Sequence, residues 1–540
     1  MPRADNGALS LAKSLNQDYH NLDYLVLSLI PEVPMPPAYT PPFVGRQREM
    51  ALLEDLWHSP QAAFLVLYGR RRVGKTRLLW EWMQKHPQDV LYWAAEPSSE
   101  SDQRRAFSQA LYRFFHPGGA EAAVYYPTWR AAFEAFAEFA AQRGRRVALV
   151  IDEFTYLLEH GPRVAGALQH AWDQTLSRGN LLLAISGSHL GMVVRDVLSP
   201  QAPLYGRATA ALRLQPLPYP ATREAFPNYP AEARVALYAV VGGVPAYWAY
   251  WNPQDDFQHN LTAFVTHAAL SLGDEPRFLL QDYIRETGNY YAILSAIARG
   301  AHTPAEIRRA SDLPSGHVSR YLESLLETGY VERRRSLTAP PNSRQGRYHL
   351  TDPFLRFYFR FISPYRGQIA AGVREPLLAE LRRHLLDFIG TYTWEEIARL
   401  WTLHAGAQGA LPFQPLEVGA AWTRTAQVDV VGINPREGTL ILGECKWSPE
   451  PVEAEVLRKL VRRTEAVLPR EKRWRVHYVV FARGGWTAGM EAEAAAVRAA
   501  PPSGERWQAE GVTLVDLPAV DAQLWQWHHA PPGGEGEIPF

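Results

Sequence analysis

The octapeptide Gly69–Thr76, GRRRVGKT, constrains this 540-residue chain more than any other stretch. It fits G-x-x-x-x-G-K-[ST], the apolar run AAFLVLY precedes it, and the helical spacing of RLLWEWM follows it. A glycine-rich turn between a strand and a helix aims backbone amides at one spot, where the helix N-terminus adds partial positive charge. Such a spot suits phosphates. Lys75 would reach the β- and γ-phosphates and Thr76 would ligate magnesium. The loop therefore predicts a strand–loop–helix unit for ATP and Mg2+, with Gly69, Arg70, Arg71, Arg72, Val73, Gly74, Lys75, Thr76 and Arg77 around the nucleotide. A Gly-containing turn without function is the competing reading, and the flanking strand and helix speak against it.

Around the loop, short apolar runs (VLYWAAE, RVALVIDEF, LLLAISGS) alternate with helical spacing. That alternation predicts a parallel sheet with helices on both faces. Asp152 and Glu153 end one run. Asp152 can hold the magnesium shell, and Glu153 can orient or deprotonate the attacking water.

Charge bounds the partners. Lys plus Arg and Asp plus Glu are 56 each, so any nucleic-acid binding must come from local basic patches. Cys445 is the only cysteine, which excludes an internal disulfide and a cysteine-based zinc site. Its side chain reads as a buried, inert thiol. No apolar run is long enough to span a bilayer, and Met1–Gln17 lacks the order of a signal peptide. The expectation is a cytoplasmic protein with no membrane partner. Only six residues are lysine, and two of them, Lys75 and Lys446, lie in the two motifs that carry chemistry.

The second motif is LILGECKW, Leu440–Trp447. Strand alternation turns Glu444 and Lys446 the same way. Upstream, QVDVVGIN and the turn signal NPREG predict a hairpin in which facing residue numbers sum to 873, setting Asp429 across from Glu444. Two facing carboxylates repel, and a divalent cation would offset that repulsion. Asp429 and Glu444 then become magnesium ligands, and Lys446 positions a nucleophile or stabilises developing charge. A surface salt bridge between Glu444 and Lys446 is the bland alternative.

Between the two motifs, TPAEIRRASDLPSGHVSRYLESLLETGYVERR reads as a winged helix-turn-helix. Thr303 and Glu306 form a capping box, Pro304 suits the first helical position, and Gly329 closes the second helix. Ser315, His317, Ser319 and Arg320 on that helix, with Arg333, Arg334 and Arg335 by the wing, are the candidate DNA contacts. A protein-docking role is the alternative. In LRFYFRFI, Leu355, Tyr358, Phe359 and Ile362 fit one helical face and Arg356 and Arg360 another, which reads as core packing.

In order, FVGRQREM, YGRRRVGKT, VIDEF, ISGSHLG, PLYGR and GGVPAYW resemble the archaeal-type P-loop ATPase family, near the AAA+ and STAND classes. The resemblance implies that Ser186 or Ser188 senses the γ-phosphate, that Arg207 is a charge-sensing arginine, and that Gly243-Val244-Pro245 touches nucleotide. His189 departs from the small hydroxyl residue the family more usually carries. Asp429 with Glu444-Cys445-Lys446 resembles the PD-(D/E)XK nuclease-like superfamily, and GTYTWEEIARLW resembles its preceding helix. That likeness implies Glu395 as a further metal ligand, and Cys445 is counted with Glu395, Asp429 and Glu444 in the metal set.

The expected fold is α/β and multidomain: an N-terminal extension and Pro-rich linker (1–42), a P-loop parallel-sheet ATPase core (43–215), a helical lid (216–285), a winged helix-turn-helix (286–350) and an α/β restriction-endonuclease-like domain (351–540). The expected function is an ATP-hydrolysing, DNA-acting protein with a Mg2+-dependent nuclease, in genome defence or mobile-element biology, with a homo-oligomer as one arrangement. An ATP-switched DNA-binding regulator with an inactive nuclease fold, or an ATPase scaffold controlling a partner protein, are the rivals.

Overall fold

The computed structural model describes residues 40–117, 124–161, 163–270, 273–281, 287–340, 343, 346–469 and 472–530. Most of the expected N-terminal extension, residues 1–39, lies outside them, as does the side chain of Ser315.

Five parallel strands form the first sheet: β1 (Ala63–Tyr68), β2 (Val90–Ala94), β3 (Val147–Asp152), β4 (Leu181–Gly187) and β5 (Ala210–Arg213), in the order β2-β3-β4-β1-β5. Alternate side chains of β1, β3 and β4 feed different cores. Phe64, Val66, Leu149 and Leu183 pack with Phe107, Trp129 and Phe133 on one face. Leu65, Leu67, Val150 and Leu182 pack with Leu53, Leu78 and Trp82 on the other. A strand buried on both faces must be apolar at every position, which is why these runs show no polar alternation. Each fully buried Leu or Phe contributes about 1.5–3 kcal/mol.

The next segment is helical (Ala231–Val241, Pro245–Trp248, Phe257–Leu270) and is tied to the sheet at one glycine. A Cβ on Gly243 would stand 1.7 Å from the Leu217 carbonyl oxygen, and Leu217 N–H donates to the Gly243 carbonyl at 2.7 Å. Only glycine permits that approach.

The helices Pro304–Ser311 and Ser315–Glu327 precede the antiparallel pair β6 (Val331–Arg335) and β7 (Gly346–Leu350). Both halves of the capping box form, with Glu306 N–H donating to Thr303 and Thr303 N–H donating to Glu306. Val318, Leu322 and Leu325 are buried, while His317, Ser319 and Arg320 are exposed. The chain after β6 then joins the last sheet. Leu337 N–H donates to Ala420 at 3.0 Å, and Trp422 N–H donates to the Ser336 hydroxyl at 3.0 Å.

That last sheet has the order β12-β11-β10-β9-β8. The strands β8 (Glu417–Trp422), β9 (Gln427–Asn434) and β10 (Thr439–Lys446) form an antiparallel meander, and β11 (Trp474–Ala482) and β12 (Trp507–Asp516) run parallel to β10. The helix Glu395–Ala407 precedes the meander, and the helix Ala454–Val467 links β10 to β11. Residues 435–438 make the turn, and the pairs Thr439–Asn434 through Gly443–Val430 set the register. In LRFYFRFI the chain leaves the helix Pro353–Phe357 for a π-helical turn, Tyr358–Ile362. Arg356 is buried there with Leu355 and Phe359, and its charge meets Glu396 at 2.8 Å.

Replacing Thr303 by Ala should cost about 1 kcal/mol by breaking the capping box. Hydrogen exchange over Pro304–Ser311 would rise several-fold, while exchange in β1–β5 stays unchanged.

Candidate functional site

Three strand ends build the first site. Parallel pairing sets the ends of β1, β3 and β4 side by side, so the loop after Tyr68, the pair Asp152-Glu153 and the hydroxyls of Ser186 and Ser188 converge. Lys75 is buried. Its Nζ donates to the Gly69 carbonyl at 2.9 Å, the Arg70 carbonyl at 3.2 Å and the Ser188 hydroxyl at 2.8 Å. Thr76 Oγ1 donates to Asp152 Oδ2 at 2.7 Å, so the two expected magnesium-side groups meet directly. Tyr92 Oη donates to the same oxygen at 2.9 Å, and Ser186 donates to the other. Ser188 binds Glu153 through both its hydroxyl and its amide. Glu153 holds a left-handed backbone, φ 52°, uncommon outside glycine and found where surroundings over-determine a residue. The donor set at Thr76 and Asp152 is hard oxygen, which suits magnesium.

The loop is held in shape from several sides. Gly74 takes φ 100° and Arg72 φ 66°. Pro245 packs over Gly74, where a Cβ would meet its ring at 3.9 Å. Arg46, in FVGRQREM, donates to the Val73 carbonyl at 3.1 Å and the Gln215 carbonyl at 2.8 Å. Burial lowers its pKa, with Glu49 at 3.0 Å opposing that shift. Arg70 pairs with Asp352 and donates to Tyr247 Oη at 2.9 Å; Arg72 pairs with Glu275 at 2.9 Å. Arg71 reaches Tyr156 Oη at 3.4 Å, Val73 is fully buried, and Arg77 bonds Glu81 at 2.7 Å on its own helix. Arg207, the expected charge-sensing arginine, stands in an ion pair. Both arms of its guanidinium hold Asp173 at 2.8 Å, an ion pair on the helix Val164–Gln174 that lowers the Asp173 pKa through the hydrogen bond to Arg207. The ring of His189 caps the short helix Leu190–Val193, a local role.

The second site lies where the β9–β10 ladder ends. One residue past the Gly443–Val430 pair, the Asp429 carboxylate accepts from Cys445 N–H at 3.1 Å. Glu444 is buried; Lys446 Nζ donates to its Oε1 at 2.8 Å, and Arg463 Nη1 to its Oε2 at 3.3 Å. Burial, then the charge of Glu444, push the Asp429 pKa up. Burial, then the charge of Asp429, push Glu395 up to about 8, although Arg399 donates to it. Arg399 also holds the Asp429 carbonyl at 2.8 Å. Burial alone would lower the Lys446 pKa, but Glu444 and Asp429 outweigh it and the net shift is upward, so the ammonium stays charged.

These shifts mark carboxylates whose charged form is disfavoured, first by burial and then by each other. Magnesium is held by one or two carboxylates and keeps several waters, so the Asp429–Glu444 pair fits it chemically. The larger expected set does not assemble. Among the described residues no three His, Cys, Asp or Glu side chains are grouped to hold a metal ion. Cys445 is the clearest correction: burial, then Asp429, raise its thiol pKa well above the ordinary value, and a neutral sulfur is no magnesium ligand. Its contribution is the amide that fixes Asp429.

At the wing, Arg333 and Arg335 are exposed, whereas Arg334 turns inward to Glu396 at 2.6 Å and is corrected from DNA contact to internal ion pair. Glu396 joins Arg334 to Arg356, while Glu395 next to it joins Arg399.

Residues 43–249 match the model of an ATPase domain predominantly from Archaea. Residues 287–338 match a MarR family model, and 358–459 match a family described as archaea bacterial proteins of unknown function. The chain is 28% identical over 432 residues, 79% of its length and 92% of the relative's, to the uncharacterized protein MJECL04 of Methanocaldococcus jannaschii. Over 42 residues, 8% of this chain and 71% of the relative, it is 45% identical to the uncharacterized ATP-binding protein MJ0423 of that organism. Among solved structures, the Walker-type ATPase PABY2304 of Pyrococcus abyssi aligns with TM-score 0.45 and 18% identity, covering 58% of this chain and 95% of that one. The Aeropyrum pernix ORC1 protein in complex with DNA aligns with TM-score 0.33 and 15% identity, covering 64% and 97%. Among the described residues no helix is long and apolar enough to cross a membrane.

Adjacent glutamates should respond oppositely to neutralisation. Glu396→Gln leaves Arg334 and Arg356 short of their shared anion and should destabilise by about 2–3 kcal/mol, the carboxylate being partly exposed. Glu395→Gln removes a charge that burial and Asp429 already disfavour and should leave stability unchanged or raise it. Chemical denaturation of the two variants without magnesium checks both signs.

Proposed function

We propose that this chain is an ATP-hydrolysing, DNA-acting protein whose C-terminal sheet hydrolyses phosphodiester bonds. The observation that carries the nuclease reading is the Asp429 carboxylate held by Cys445 N–H at 3.1 Å where the β9–β10 ladder ends, beside the buried Glu444 whose Oε1 lies 2.8 Å from Lys446. An acid-bearing helix followed by a hairpin carrying D…E-x-K is also the order that the PD-(D/E)XK resemblance implies.

At the phosphate loop, Lys75 would exchange its loop carbonyls for phosphate oxygens, and Glu153, steadied by Ser188, would orient the attacking water. At the C-terminal pair, magnesium held by Asp429 and Glu444 would supply Lewis acidity toward a phosphate. Lys446 supplies a fixed positive charge beside it, and Cys445 N–H keeps Asp429 in place. The DNA contacts proposed are His317, Ser319 and Arg320, exposed on the helix Ser315–Glu327, with Arg333 and Arg335.

One observation favours a second reading. Lys446 and Arg463 already occupy both oxygens of Glu444, so the site is partly neutralised without metal. A regulator that binds DNA through the winged helix and cuts nothing would be compatible with that.

Plasmid and branched DNA incubated with wild type and Lys446→Ala, with magnesium or with chelator, separate the two. The nuclease reading expects metal-dependent cutting that Lys446→Ala lowers at least 100-fold while leaving ATP turnover intact; absence of cutting by wild type on all substrates favours the regulator. Lys75→Ala should abolish nucleotide binding in titration calorimetry under either reading.

A further inference from the structure

Two arginines of the phosphate loop are engaged by buried carboxylates from distant parts of the chain. Asp352 lies at the joint between β7 and the helix Pro353–Phe357, with its side chain 6% exposed, and pairs with Arg70. Glu275, 4% exposed, opens the helix Glu275–Gln281 and holds Arg72 at 2.9 Å. Tyr247 ties the two pairs together, accepting from Arg70 at 2.9 Å and donating to Glu275 at 3.1 Å. Arg72 keeps a left-handed backbone, φ 66°, while making its pair, an arrangement that costs strain in any residue but glycine. A cavity of about 760 Å³ adjoins this cluster, lined by Arg70, Gln215, Gly243, Asp352, Arg356 and Glu396.

We propose that Asp352 and Glu275 are positioning residues that set nucleotide affinity by standing in for phosphate. A triphosphate on the loop brings several negative charges to the arginines that these carboxylates neutralise, so nucleotide and carboxylates compete for Arg70 and Arg72. The competition has a readout elsewhere. Asp352 also caps its helix, accepting from Leu355 N–H at 3.1 Å, and that helix carries Arg356 to Glu396. Drawing Arg70 away from Asp352 alters the charge at the head of this helix, so nucleotide state reaches the neighbourhood of Glu395 through a short run of named contacts. The inference rests on reading Gly69–Thr76 as the nucleotide site.

Asp352→Asn removes the charge but keeps a capping oxygen; Glu275→Gln tests the second pair without touching that helix. Titration of a fluorescent ATP analogue into the full chain should show about 5–20-fold tighter binding in either variant, the scale of an ordinary coupling between sites. Hydrogen exchange over Pro353–Ile362 should change on adding a non-hydrolysable ATP analogue to wild type, and should not change in Asp352→Asn. Wild-type binding with unchanged or weaker affinity in both variants, or wild-type exchange indifferent to nucleotide, overturns the inference and leaves the phosphate-loop reading standing. A wild type that binds no nucleotide overturns both.

Discussion

Parallel pairing of β1, β3 and β4 is the constraint on which the nucleotide end of the molecule depends. Because the three strands run the same way, their carboxyl ends share one rim, and residues far apart in the chain meet there. Lys75 and Ser188 are 113 positions apart, yet lie 2.8 Å from each other. Asp152 is the centre of that rim. Thr76, Tyr92 and Ser186 all donate to its two oxygens, so its carboxylate is fixed before any ligand arrives. Preorganisation of this kind is what a charged ligand requires, since no reorganisation remains to oppose binding.

The helix Glu395–Ala407 plays the corresponding part at the other end. Consecutive helical residues point roughly 100° apart, so Glu395 and Glu396 face different neighbours. Glu396 meets two arginines, Arg334 from the wing and Arg356 from the buried helix, and is held ionised: burial raises its pKa, but the two arginines outweigh that. Glu395 is pushed the other way by burial and then by Asp429. A single residue step thus separates a structural ion triad from a carboxyl whose charged form its surroundings disfavour.

Much of this was legible in the residues, for stated reasons. The turn NPREG sets a hairpin whose facing positions sum to 873, and the observed pairs, such as Leu440–Ile433, keep that sum. The capping box is readable because its parts are three residues apart. The double-sided burial of β1, β3 and β4 shows as unbroken apolar runs. What escaped reading was long-range. Arg46 meets Gln215 across 169 positions, and Arg70 meets Asp352 across the whole lid, and neither contact leaves a local pattern. Arg399 and Arg463 reach the carboxylate strands from helices 30 and 19 positions away in the chain. Arg334 was discoverable. Three consecutive arginines on a strand cannot all face one side, so alternation alone assigns Arg334 to the face opposite Arg333 and Arg335.

The hydrogen bonds from residues 336–337 to β8 have a mechanical consequence. An outer strand with bare amides and carbonyls recruits strands from other molecules, and these two residues shield part of that border. Swinging the winged-helix segment clear of the last sheet would uncover a sticky margin, so the two should travel as one rigid unit, with a fixed span between the exposed face of the helix Ser315–Glu327 and the carboxylates.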